Sequence, residues 1–210
     1  VTKRAFNVKD LLNKKFEILP FTGNWEASIG QPCKQFSMMI TGPSGSGKTE
    51  FAIQLSKYLT NFGKVAYNSI EQGFSHTLQM AMQRNHMEHV ADKFLILDKE
   101  QLPQLSKRLR KQRAADFIVI DSIQYLNANK KEYFQFKQEF YPKKGIIYIS
   151  HIEGKEAKGA LAKDIWYDVD IQVPVEGFVA TPKKRLNGGG KPFIVNAERA
   201  AIYHGELETI

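Results

Sequence analysis

Eight consecutive residues, Gly42-Pro43-Ser44-Gly45-Ser46-Gly47-Lys48-Thr49, constrain this chain more than any other segment. They follow the apolar run Phe36-Ser37-Met38-Met39-Ile40 and precede Glu50-Phe51-Ala52-Ile53-Gln54-Leu55, so the order reads buried strand, glycine-rich turn, helix. The octapeptide satisfies G-x-x-x-x-G-K-[ST] at each constrained position. Gly42, Gly45 and Gly47 let the backbone curl so that successive N–H groups point inward at phosphate oxygens. The helix behind adds its positive N-terminal end. The Lys48 ammonium is expected to reach the outer phosphates, and the Thr49 hydroxyl to join a Mg²⁺ shell. Residues 42–49 therefore predict a nucleoside triphosphate site.

A length of 210 residues, 42% hydrophobic and 25% charged, fits one globular α/β domain with a single core. One cysteine, Cys33, excludes an internal disulfide and points to a reducing, cytoplasmic setting. No apolar run approaches membrane-spanning length, which argues against a membrane partner. Lys and Arg total 30 against 22 Asp and Glu, a formal net charge of +8 that favours polyanionic partners, nucleic acid first.

Beyond the turn, short apolar runs alternate with amphipathic stretches. Strands are expected at Val65 to Ile70, Phe94 to Leu97, Phe117 to Ile120 and Gly145 to Ser150. Helices are expected from Phe51 to Phe62 with Gly63 as C-cap, from Ser75 through Met87, from Leu102 to Arg113, and from Tyr133 to Tyr141. Residues after Val169 read as further strands. This pattern predicts a mainly parallel sheet flanked by helices, with a C-terminal antiparallel β extension. Residues 1–35 read as a lead-in segment whose Leu11, Leu12, Phe16, Ile18, Leu19, Phe21 and Trp25 are available to the core; residues 36–210 form the core itself.

Ligands in such sheets sit beyond the carboxyl ends of the strands. Asp121 ends the run Phe117-Ile118-Val119-Ile120, so its carboxylate is placed to hold Mg²⁺ opposite Thr49. The residue after it is Ser122, so a water-activating carboxylate must come from elsewhere. Glu71, at the end of the strand after the phosphate-loop helix, fits that role.

Residues 42–49, Val65 to Glu71 ("VAYNSIE"), Phe117 to Gln124 ("FIVIDSIQ") and Lys183-Lys184-Arg185-Leu186-Asn187-Gly188 together resemble the RecA-like ATPases, particularly the RadA and DnaB branches. The match runs over roughly residues 30 to 200, and its short length is similar to RecA-core-only proteins of phages and mobile elements. The resemblance implies ATP and Mg²⁺ as ligands, hydrolysis at subunit interfaces, and a homo-oligomeric ring or filament. It implies that His151 senses the γ-phosphate and couples it to a DNA-binding loop. By the same resemblance, residues 152–166 form that second DNA loop, with Lys155, Lys158 and Lys163 facing a single strand. Residues 127–131, with Lys130 and Lys131, form the first. Lys183 and Arg185 correspond to cations that reach a neighbouring subunit's ATP site. Single-stranded DNA in recombination or replication is the implied partner. The alternatives are an ATP-switched regulator of another protein, of the helicase-loader or clock type, and a nucleoside-kinase-type phosphotransferase. The kinase is disfavoured because no arginine-rich lid is evident.

Overall fold

The computed structural model describes residues 5–184 and 190–205. The chain opens with α1 (Val8–Leu12) and α2 (Gly23–Ile29), then enters β1 (Ser37–Gly42), α3 (Lys48–Leu59) and β2 (Val65–Ser69). It continues through α4 (His76–Arg84), β3 (Phe94–Asp98), α5 (Leu102–Leu109), β4 (Phe117–Asp121), α6 (Lys130–Phe140) and β5 (Gly145–Glu153). The last part holds β6 (Glu156–Ala157), α7 (Ala160–Asp168), β7 (Ile171–Glu176), β8 (Val179–Ala180), β9 (Lys183–Lys184), β10 (Phe193–Ile194) and α8 (Ala197–His204). One sheet runs in the order β10-β8-β7-β1-β5-β4-β2-β3, with β6 paired to β5 and β9 to β7. The central pairs are parallel and those of β6, β8, β9 and β10 antiparallel, as the pattern of apolar runs predicted.

Strand side chains alternate between faces, so each strand feeds two cores. On one face Met38, Ile40, Tyr67, Val119, Ile147 and Val173 meet Phe51 and Leu55 of α3 and Leu78 of α4. On the other, Met39, Ala66, Ile118, Ile120 and Tyr148 meet Leu105 of α5, Phe136 of α6 and Ile165 of α7. The strands are near-continuous apolar runs because both faces are covered.

Several helix ends differ from their sequence expectation, each for a local reason. α3 stops at Leu59 with Thr60 as its C-cap. Gly63 is needed for a different reason, since a Cβ there would lie 2.6 Å from the Asp116 carboxylate. That carboxylate accepts from the Lys64 amide at 3.0 Å. α4 ends before Met87 because His86 takes a left-handed φ of 49°; Met87 then falls on a 3-10 turn, still buried. α5 ends at Leu109, and Arg113, at a φ of 59°, lies outside it. Among the described residues, the lead-in reaches the core through Leu19, Phe21, Trp25 and Ile29. Leu11, Leu12, Phe16 and Ile18, expected to pack there, are exposed; α1 spans five residues and buries none of them. No helix among the described residues is long and apolar enough to cross a membrane.

Candidate functional site

The phosphate loop is built by close packing. Gly47 N-caps α3 at a left-handed φ of 98°, and no side chain caps the first-turn amides, which suits an anion there. A Cβ on Gly42 would lie 2.1 Å from the Val175 carbonyl oxygen, so β7 sets the path of the loop. The Phe178 amide donates to the Ser46 carbonyl at 2.9 Å, clamping the loop from the β7–β8 turn. Replacing Gly42 with alanine is expected to push β7 and the loop apart at a cost of about 1–3 kcal/mol. Thermal unfolding of the nucleotide-free variant should fall by about 2–10 °C; an unchanged midpoint would show that the loop does not need this approach.

Lys48 is buried, and its ammonium donates to the Gly42 and Pro43 carbonyls at 2.9 and 2.6 Å. Burial pushes its pKa below the usual lysine range, opposed by the charges of Asp121 and Glu71. Thr49 Oγ1 lies 3.5 Å from Asp121 Oδ2. The Tyr67 hydroxyl donates to the same Oδ2 at 2.5 Å. Burial, and then the neighbouring Asp121 charge, push the Tyr67 hydroxyl well up, so it stays a donor. Asp121 is itself pushed up to about 6, by burial first and by Glu71; Tyr67, Lys48 and His151 act against the rise.

Parallel register explains this gathering. Tyr67 pairs with Val119 and Ser69 with Asp121, so Tyr67 and Ser69 share the face on which Asp121 emerges. Next along, β5 lies between β4 and β1 and sets His151 beside Gly42. The turn after β2 is tied to the tip of β4, since the Ile70 and Glu71 amides both donate to the Asp121 carbonyl, at 2.6 and 3.0 Å. The Asp121–Ser122 peptide is cis.

Glu71 is held on one oxygen. Ser122 Oγ donates to Glu71 Oε2 at 2.8 Å, and His151 Nε2 lies 3.0 Å from it. Gln124 extends the cluster. Its amide nitrogen donates to Ser150 Oγ and to the Lys158 carbonyl at 2.8 and 2.9 Å, and its oxygen accepts from the His151 amide at 3.1 Å. An unbroken chain of contacts thus joins Glu71 to the backbone of Lys158.

The predicted nucleic-acid loops are more ordered than the sequence suggested. Residues 152–166 fold into the β5–β6 hairpin and most of α7. Lys163 pairs with Glu156 at 2.6 Å, while Lys155 and Lys158 are exposed. Lys130 and Lys131 open α6 behind an Asn129–Glu132 capping box, and Lys130 pairs with Asp164 at 2.8 Å. Lys183 is exposed on β9, opposite Gln172. Arg185 lies outside the described residues.

Tyr67, Ser122 and Gln124 went unrecognised as site residues in the sequence. For Tyr67 a signal existed: a phenol stands in the middle of the apolar run Val65 to Ile70. Ser122 and Gln124 lie beyond the tip of β4, where no periodicity fixes direction.

The donor set matches a hard divalent ion and a phosphate chain. Thr49 and Asp121 offer oxygens close together. Ser46 Oγ, buried in the loop, has no hydrogen-bond partner among the described residues. Sheet order, the glycine-rich turn between β1 and α3 and the flanking helices define a RecA-like α/β fold. No protein-family model matches the chain, and no curated protein matches it. Among solved structures it is similar to the flagellar accessory protein FlaH from Methanocaldococcus jannaschii, with a TM-score of 0.58 and 17% identity over 81% of this chain and 88% of that one. At that identity the likeness shows the fold.

Proposed function

We propose that this protein binds MgATP between residues 42–49 and Asp121 and hydrolyses it, with sites completed at subunit interfaces and single-stranded DNA as the partner. The observation that carries the hydrolytic reading is the Glu71 carboxylate, fixed through Oε2 by Ser122 and His151 in a turn whose amides are bonded to the Asp121 carbonyl. Oε1 accepts no hydrogen bond among the described residues and is free to orient a water and take its proton. The Lys48 ammonium exchanges its loop carbonyls for phosphate oxygens, and the α3 amides hold them. A bound divalent ion, held by Thr49 and Asp121, supplies charge neutralisation on the phosphates. His151 reports the terminal phosphate, and a neighbour's Lys183 and Arg185 complete the site in trans. Lys155, Lys158, Lys163, Lys130 and Lys131 contact the sugar-phosphate backbone.

One feature favours the second reading, an ATP-switched partner of another protein: Lys130 and Lys163 are engaged with Asp164 and Glu156. The structural neighbour is described as an accessory protein. Steady-state ATP hydrolysis, measured across protein concentrations with and without single-stranded DNA, separates the two. On the DNA reading, turnover per protomer rises with concentration, increases with DNA and loses that increase as salt is raised. Turnover indifferent to DNA leaves the protein-partner reading; absence of turnover at every concentration removes both hydrolytic readings.

A further inference from the structure

Tyr67 is fully buried in the middle of a parallel strand, where an aliphatic residue would satisfy the packing. Its ring packs near Phe94 on the face that α3 covers. Its hydroxyl, however, is aimed along the sheet at the carboxylate of Asp121, two residues beyond its own register partner Val119. The contact falls on Oδ2, the oxygen that Thr49 Oγ1 also approaches, while Oδ1 accepts no hydrogen bond among the described residues.

A buried carboxylate with one oxygen pinned by a stiff donor cannot rotate freely, so its other oxygen has a fixed direction. Loss of a group that orients a metal ligand typically costs about 10- to 100-fold in metal affinity. A phenol rooted in the central sheet is more rigid than a serine or a water in that place, because its ring position is set by packing on both sides.

We propose that Tyr67 is a positioning residue for the divalent ion: by holding Asp121 Oδ2 it presents Oδ1 to the metal that accompanies the nucleotide. This rests on the phosphate-site reading above and adds a residue to it. Tyr67 touches neither nucleotide nor ion, and it acts through Asp121.

The test is Tyr67→Phe, which keeps the ring and removes the hydroxyl. Binding of a fluorescent ADP analogue is measured first with a chelator present and then along a Mg²⁺ titration. Metal-free affinity should stay within about 2-fold of wild type, because the phosphate-loop contacts are untouched. The Mg²⁺ concentration giving half of the metal-dependent gain should rise about 10-fold or more. In an Asp121→Asn background, where the metal-dependent gain is expected to be lost, adding Tyr67→Phe should leave affinity unchanged both with and without Mg²⁺, since the hydroxyl has lost the charge it positions. A purely structural tyrosine would instead weaken binding equally with and without Mg²⁺, in both backgrounds, and that outcome overturns the proposal. So does an unshifted Mg²⁺ midpoint in Tyr67→Phe. If wild type binds the probe under neither condition, the phosphate-site reading itself falls, which is a different result from a wild type that binds while the variant matches it.

Discussion

Replacing Glu71 with glutamine is expected to slow ATP turnover by about 10²- to 10⁴-fold while nucleotide affinity stays within a few-fold of wild type. The substitution keeps the side-chain shape but removes the group that takes a proton. Ser122 Oγ and His151 Nε2 both meet Oε2, so the carboxylate is held in a defined orientation rather than sampling solvent. The turn that carries it is fastened to the Asp121 carbonyl by two amides, which ties Glu71 to the tip of β4. Nothing in the phosphate loop contacts Glu71 through a hydrogen bond among the described residues, which is why binding should survive. Phosphate release under saturating MgATP, paired with equilibrium nucleotide binding, provides the two readouts. Turnover of Glu71→Gln at the wild-type rate would sink the assignment of water activation to this residue, and an equal loss of binding and turnover would recast Glu71 as a structural support.

The sheet and the glycine-rich turn between β1 and α3 were legible in the sequence because both rest on local patterns. Val65 to Ser69 and Phe117 to Asp121 are apolar runs of strand length, and a parallel sheet buried on both faces has no other signature. The loop needs glycine at Gly42 and Gly47 for contacts made by Val175 and Phe178, yet glycine there is visible without knowing those partners. Helix ends were less legible, since His86 and Arg113 break helical patterns through left-handed backbone that their side chains do not announce. The lead-in misled because apolar character alone did not bring Leu11, Leu12, Phe16 and Ile18 onto the core: the first two sit on α1, a five-residue helix that buries nothing, and the other two lie outside any helix. Hydrophobicity reports what can be buried, not where. The Gln124 bridge to Lys158 was illegible because its partners lie 26 to 34 residues away and meet only through the parallel crossover that brings β5 beside β4.

Asp121→Asn is expected to make the nucleotide-free protein more stable at pH 8 while removing its Mg²⁺-dependent gain in nucleotide affinity. Asp121 is buried, and burial is the first cause that raises its pKa from an ordinary 3.8 to about 6. The Glu71 charge adds to the rise, while the Tyr67 hydroxyl, Lys48 and His151 reduce it without cancelling it. A carboxyl whose pKa is higher in the folded state binds more protons there than in the unfolded chain between the two values. Stability from this group is therefore full below about pH 4 and is lost as pH rises through about 6. Above pH 7 the whole cost stands, about 3 kcal/mol for a rise of this size. Asparagine carries no charge, still accepts from Tyr67, and avoids that cost. A gain of about 1–3 kcal/mol is expected, or about 2–10 °C in the unfolding midpoint. The gain should shrink as pH is lowered through about 6 and be largely gone near pH 4, where folded wild-type Asp121 is protonated and the unfolded carboxyl is about half so. Thermal unfolding of both proteins from pH 4 to pH 8, without nucleotide or divalent ion, checks the sign directly. A variant less stable than wild type at pH 8 would mean that the buried charge is more than compensated by Tyr67, Thr49 and Lys48. The site would then be built to hold a carboxylate rather than strained by one. A variant that is more stable and blind to Mg²⁺ identifies Asp121 as a charge kept for ligand binding at the expense of the empty fold.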